Sequence, residues 1–165
     1  MIEIKSATAD DFCTIWPIFH DVVSTGDTYP YPINTSRNEA KVYWMGGQSR
    51  TYIALQHSIT CGTYYLKPNQ PGSGDHVANA GFMVAPDVAG SGIGTAMVEH
   101  SLSEAVRLGF RAMQFNLVVS TNIRAIALWE RVGFHITGTL PEAFRHPTKG
   151  FVDAHVMYRS LKDRI

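Results

Sequence analysis

The chain has 165 residues, 45% of them hydrophobic and 17% charged, which fits one globular domain over 1–165 and excludes intrinsic disorder. Its 14 basic and 14 acidic residues cancel, so no overall field draws nucleic acid or an anionic membrane. No uncharged apolar run approaches the ~18 residues of a membrane helix, and the opening MIEIKSATADD lacks a signal-peptide core, so a cytoplasmic protein with no nucleic-acid or membrane partner is predicted.

Ile2 to Ala7 alternates and predicts a first strand. Thr8 reads as an N-cap with Asp11 at the third helical position. Phe12, Ile15, Trp16, Phe19, Val22 and Val23 follow at helical spacing, with Pro17 expected to kink or break the helix. Ser24 to Asn34 is irregular. Ser36 with Glu39 resembles a capping box that opens a short helix through Met45. Thr51 to Leu55 and Thr60 to Leu66 form strands around a tight turn, and His76 to Val84 is another strand. Gly90 to Leu108 begins with glycines and continues as an amphipathic helix that Gly109 ends. Ala112 to Val119 is an uncharged strand. Asn122 caps a helix that stops at Gly133. Two last strands, His135 to Leu140 and Val152 to Leu161, flank a polar loop from Pro141 to Gly150. Cys13 and Cys61 lie in apolar segments and read as buried, reduced thiols. The order β-α-α-β-β-β-α-β-α-β-β mixes hairpins with crossover helices. It predicts an α/β (α+β) fold, with a mixed sheet of about seven strands flanked by about four helices.

The strongest chemical signal is VAPDVAGSGIGT, Val84 to Thr95. It joins a strand to a helix through a glycine-rich turn, which aims backbone N–H groups and the positive helix end at an anion. Gly90, Gly92 and Gly94 let that anion approach the backbone, and a pyrophosphate is its natural occupant. A dinucleotide fingerprint fits worse, because the spacing is GxGxG and no acid ends the next strand. A P-loop would need a lysine before Thr95. No HExxH or CxxC spacing marks a metal site, so no metal is expected.

Downstream lies NIRAIALWERVGF, Asn122 to Phe134. Together the two segments resemble the GNAT superfamily of N-acetyltransferases. The resemblance implies acetyl-CoA as cosubstrate, lying where two adjacent parallel strands splay apart. It implies cofactor contacts from Met83, Val84, Ala89, Gly90, Ser91, Gly92, Ile93, Gly94, Thr95, Asn122 and Ala125. The chain departs from the superfamily in three places. Ala89 stands where an Arg or Gln usually precedes the loop. Trp129 stands where many members carry a tyrosine that protonates the leaving thiolate, and an indole cannot do so. Asn79 lies near the usual position of a catalytic Glu, and an amide is no base. The segments GTYYLKPNQPG, HVANAGFMVAP, FNLVVSTN and GTLPEAFRHP are similar to a subgroup that includes fungal acetyltransferases of proline analogues such as azetidine-2-carboxylate. That resemblance implies a reaction site lined by Asn79, Asn116 and Asn122.

Asn79 and Asn116 each sit in an otherwise apolar strand. A buried amide without partners costs roughly 1–3 kcal/mol, so each must be paired or face a cavity. Asn122 is a good helix cap in its own right, and from that place it can also donate to an oxyanion. The catalytic candidates are therefore Asn122 and Asn116. The substrate candidates are Asn79, Asn116, Tyr29 in the early loop and Arg145, which could receive a carboxylate. The function read from these residues and the resemblance is acetyl transfer to a small amine, a cyclic amino acid among the candidates, by a homodimeric enzyme. The alternatives are a protein or peptide N-acetyltransferase, a non-catalytic CoA-binding module, and a nucleotide-binding protein that uses the glycine loop.

Overall fold

The computed structural model describes residues 1–164. Its strands are β1 (Ile2–Ser6), β2 (Arg50–Gln56), β3 (Ile59–Pro68), β4 (Val77–Val84), β5 (Ala112–Val119), β6 (His135–His146) and β7 (Gly150–Ser160). The α-helices are α1 (Phe12–Ser24), α2 (Arg37–Met45), α3 (Ile93–Arg107) and α4 (Ile123–Arg131). All seven strands join one sheet in the order β1-β2-β3-β4-β5-β7-β6. Only β4 and β5 run parallel, and every other neighbouring pair is antiparallel. The predicted mixed α/β architecture, element order included, is the one observed.

The sheet separates two apolar layers. On one face Ile93, Met97 and Leu102 of α3 and Trp129 of α4 pack with Phe115 and Phe134. On the other, Ile15 and Phe19 of α1 meet Trp44 of α2, Tyr65 and Met83. The helix signals that the sequence carries are specific at α2, where Ser36 and Glu39 form the complete capping box. Between β2 and β3 the two turn residues, His57 and Ser58, adopt φ of 50° and 65°. A two-residue hairpin turn needs that left-handed geometry even without glycine.

Four expectations need correction. Thr8 does not cap α1. Its N–H and hydroxyl both donate to the Asp11 carboxylate, at 2.7 and 2.8 Å, in a turn that precedes the helix, and Asp11 is the N-cap. Pro17 does not break α1, which runs through it. The carbonyl it leaves unmatched in the i→i−4 ladder is that of Cys13, near the exposed start of the helix where water can serve it. Cys13 is exposed and only Cys61 is buried. The polar segment 141–150 is mostly strand: β6 and β7 form one long hairpin that closes at residues 147–149. A register shift between Leu140 and Phe144 absorbs Pro141 and Glu142, whose φ is 52°. Such a bulge tolerates residues that an unbroken ladder would reject.

Candidate active site

The two parallel strands pair only at their beginnings, Val77 with Ala112 and Ala78 with Met113. At the next position the Asn79 side chain intervenes, its Nδ2 donating to the Gln114 carbonyl at 3.0 Å. Beyond it the strands part. β5 also loses register with β7 between Phe115 and Val118, which turns its second half away. The sheet is therefore open along the C-terminal halves of β4 and β5.

A cavity of about 250 Å³ fills this opening. Its apolar wall includes Phe82, Phe115, Val118 and Trp129, and its polar lining comes from Thr28, Tyr29, Tyr31, Tyr65, Asn79, Asn116 and Asn122. None of its lining residues carries a formal charge. A larger cleft, about 660 Å³, lies elsewhere, between α2, the start of β2 and the end of α3, with Lys41, Arg50 and Arg107 on its walls.

The backbone of β4 sets what the opening offers. Phe82 stands opposite Tyr64 of β3, yet its N–H and C=O turn away from β3. Both bond the Tyr29 hydroxyl, which accepts from the Phe82 N–H and donates to the Phe82 carbonyl, each at 2.8 Å. Strand alternation gives Val84 the same orientation two residues later, so its backbone faces the gap. Met83 is different. Its side chain is buried in the layer of α1 and α2, and alternation turns its backbone to β3. Of that expected pair, only Val84 meets the opening.

Past Val84 the chain makes a single 3-10 turn, Pro86–Val88, and enters the glycine loop. Gly90 and Gly92 have φ of 88° and 87°, a conformation that costs a residue with a Cβ about 1–2 kcal/mol. Gly92 is the N-cap of α3, and the first helical bond runs from Ala96 N–H to its carbonyl at 3.0 Å. The N–H groups of Ile93, Gly94 and Thr95 lie ahead of that bond, as first-turn donors without intrahelical partners. Gly94 is an ordinary packing position, where a Cβ would meet Leu128 at 3.6 Å. Two arginines of α4 flank this loop. Arg124 Nη2 lies 3.3 Å from where a Gly90 Cβ would stand, and Arg131 Nη2 donates to Thr95 Oγ1 at 3.4 Å. Sequence reasoning missed both. The available signal was the surplus of cations on a helix that follows the glycine loop by one strand. Arg124 supplies positive charge near the loop that Ala89 cannot. Backbone donors, a helix N-terminus and adjacent guanidiniums suit a pyrophosphate.

The asparagines divide in their use. Asn79 is buried; its Oδ1 accepts from Tyr65 at 3.1 Å while Nδ2 serves Gln114. Asn116 is exposed rather than buried, because it lies where β5 loses register. Its Oδ1 accepts from Gln114 Nε2 at 3.0 Å and its Nδ2 donates to Asn69 Oδ1 at 2.7 Å. Asn122 caps α4 by accepting from the Ala125 N–H at 3.3 Å, which leaves its amide nitrogen available to the cavity. Trp129 packs 5.1 Å from Phe82 and 4.7 Å from Phe115, ring centre to ring centre. Tyr29 is a half-buried wall instead of a solvent-facing turn residue. Burial raises the phenol pKa values of Tyr29, Tyr31 and Tyr65, that of Tyr29 far above the usual value. Arg145 is not in the cavity lining; its guanidinium lies 5.3 Å from the Phe151 ring centre on the neighbouring hairpin strand. Among the described residues no cluster of His, Cys, Asp and Glu could hold a metal. None of their helices is long and apolar enough to cross a membrane.

Residues 15–134 match the model of the Acetyltransferase (GNAT) family. The chain is 32% identical over 163 residues to N-acetyltransferase aca1 of Schizosaccharomyces pombe, covering 87% of this chain and 78% of that one. Among solved structures, a GCN5-related N-acetyltransferase from Kribbella flavida is similar with a TM-score of 0.91 and 44% identity, covering 96% and 97% of the two chains. A phosphinothricin acetyltransferase from Sinorhizobium meliloti, solved in complex with AcCoA, shares the fold at a TM-score of 0.85 and 21% identity, covering 96% of this chain and 88% of that one.

Proposed function

Because the chain belongs to the acetyltransferase (GNAT) family, we propose that it transfers an acetyl group from acetyl-CoA to a small amine at the opening between β4 and β5. The observation that carries this reading is the continuity of three parts: the Val84 backbone that β5 leaves unpaired, the glycine cradle at the start of α3, and the cavity that ends at Asn79. A pantetheine arm would follow the Val84 backbone, with its pyrophosphate on the N–H groups from Gly90 to Thr95 and near Arg124. The thioester then falls beside Asn122.

The neutral amine attacks the thioester carbonyl, and the Asn122 amide nitrogen donates to the oxygen as it becomes an oxyanion. No carboxylate or histidine lines the cavity, and burial keeps the three tyrosines protonated. The amine therefore loses its proton to water before attack, and Trp129 only packs. The cavity volume, about 250 Å³, favours a small acceptor over an extended peptide. A cyclic amino acid, the acceptor implied by the resemblance, must place its carboxylate without Arg145. A homodimer remains part of the proposal: Ile136 and Leu140 of the edge strand β6 and Phe151 of β7 are exposed, and light scattering tests it.

Acetyl-CoA-dependent thiol release, screened over small amines and cyclic amino acids, tests the function. Release that requires both acetyl-CoA and an amine is expected. CoA binding without release under any amine would favour a non-catalytic CoA-binding module.

A further inference from the structure

We propose that the acceptor is a small amine of weakened basicity, one whose conjugate acid loses its proton near or below neutral pH, as an aryl hydrazine does. This rests on the acetyl-transfer reading and adds the chemical class of the acceptor.

An ammonium entering the cavity meets no counter-charge. The loop offers the neutral hydroxyls of Thr28, Tyr29 and Tyr31, β3 offers Tyr65, and β4, β5 and α4 offer only apolar and amide side chains. The one cation against this wall is Lys67, whose ammonium lies 5.0 Å from the centre of the Tyr65 ring, and it repels a second positive charge. An ammonium also brings three donors that need acceptors. Each lining asparagine already accepts one hydrogen bond, Asn79 Oδ1 from Tyr65, Asn116 Oδ1 from Gln114 and Asn122 Oδ1 from the Ala125 N–H, and what is left to an ammonium is neutral oxygen that does not offset its charge. The Tyr29 oxygen takes the Phe82 N–H.

The aromatic walls act in the opposite direction, because their π-faces attract cations. That attraction is smaller than the cost of stripping water from an unpaired ammonium. The balance favours the neutral amine, and the same rings favour a flat apolar body attached to it. Tyr43 of α2 stacks behind Tyr31 at 4.9 Å and adds no carboxylate.

The chemistry selects in the same sense. The amine nitrogen forms a bond to the thioester carbon, the C–S bond breaks, and the sulfur leaves with the electron pair. The proton shed by nitrogen passes through water to the thiolate, giving amide and free thiol. A more basic amine is the better nucleophile once neutral, but less of it is neutral. With no base supplied by the protein, the product of the two factors peaks when the amine pKa lies near the working pH. An alkylamine with a pKa of about 10 is neutral at pH 7 in only about one molecule per thousand.

Phenylhydrazine and 2-phenylethylamine carry the same ring and differ in basicity. Thiol release by the full chain with acetyl-CoA, corrected for the uncatalysed rate, is measured for each from about pH 6 to about pH 9. At pH 7 the hydrazine is expected to show the higher kcat/KM, its advantage of about a thousandfold in neutral fraction being partly offset by its weaker nucleophilicity. The alkylamine value should climb about tenfold per pH unit while the hydrazine value stays level. An inflection shared by both amines reveals a base on the protein and overturns the proposal. So does an alkylamine that matches the hydrazine at pH 7, or rejection of both by a chain that acetyl-CoA stabilises. If acetyl-CoA produces no rise in melting temperature, the acetyl-transfer reading itself fails, which separates the two outcomes.

Discussion

The oxygen of Asn122 holds the first turn of α4, while its nitrogen is left to the cavity, where the proposed reaction puts the developing oxyanion, so the two ends of one amide have separable uses. Asn122→Asp keeps the cap, because aspartate caps a helix about as well as asparagine, but exchanges the donor for an acceptor. Its kcat is expected to fall roughly 10²–10³-fold with the melting temperature little changed. Asn122→Ala loses both, with about 1 kcal/mol of stability lost in addition. Equal turnover by wild type and Asn122→Asp would reduce the residue to a cap. Gly92→Val is expected to cost about 1–2 kcal/mol through its left-handed backbone and to weaken acetyl-CoA binding as the cradle shifts; calorimetry on the folded variant measures the second effect. The loop was legible at this scale because glycine is the residue that a left-handed backbone selects. The asparagines were legible only as polar residues out of place. That Asn79 bridges to Gln114 while Asn116 is exposed follows from where β5 loses register, and no local residue pattern encodes that.

Elements bring the acceptor wall to the sheet. The segment 25–34 has no regular structure, and its tie to β4 is the Tyr29 hydroxyl, which satisfies both polar groups of Phe82. Tyr29→Phe leaves that N–H and C=O without their partner, and a loss of about 1–3 kcal/mol is expected, with a higher KM for the amine and an unchanged affinity for acetyl-CoA. A variant with wild-type stability and KM would show that the loop holds without this bond. Helix and strand types were legible from period and caps, α2 most of all, because those signals are local. The hairpin of β6 and β7 was not: its polar, proline-containing middle reads as a loop until pairing with a neighbouring strand and the bulge after Leu140 hold it extended. On α3, Arg107 and then Tyr52 donate to Glu104 and hold its carboxyl below the usual carboxylate range. The unfolded chain therefore takes up this proton at a higher pH than the folded one. The stabilisation is present above the unfolded pKa and is lost as pH falls through the lower folded value. Urea titrations should show a shallower acid decline for Glu104→Gln than for wild type.

In the whole molecule, the sheet has a weak seam at the proposed reaction site. Strands β1 to β4 form one antiparallel block and β5 to β7 another. Between β4 and β5 the backbone pairing covers only two positions on each strand, supplemented by the bond from Asn79 to Gln114. A ligand laid along Val84 with its phosphates at the start of α3 and near Arg124 of α4 would touch elements on both sides of that seam. It would bind the native state alone, because the cradle exists only when β4, α3 and α4 are assembled. Such a ligand adds RT ln(1 + [L]/Kd), about 2.7 kcal/mol at a hundredfold excess over Kd. For a chain of this size that corresponds to a rise in melting temperature of about 5–10 °C. Acetyl-CoA and CoA are both expected to produce it, since they share the pyrophosphate and the pantetheine arm that would lie along Val84, and NAD or ATP, which lack that arm, should produce less. Hydrogen exchange should slow at the Val84 amide and in the first turn of α3, and much less at the distant edge strand β1. Protection confined to the glycine loop, with Val84 unchanged, would mean that the ligand sits on the cradle without entering the seam. An equal rise with ATP would assign the loop to nucleotides in general.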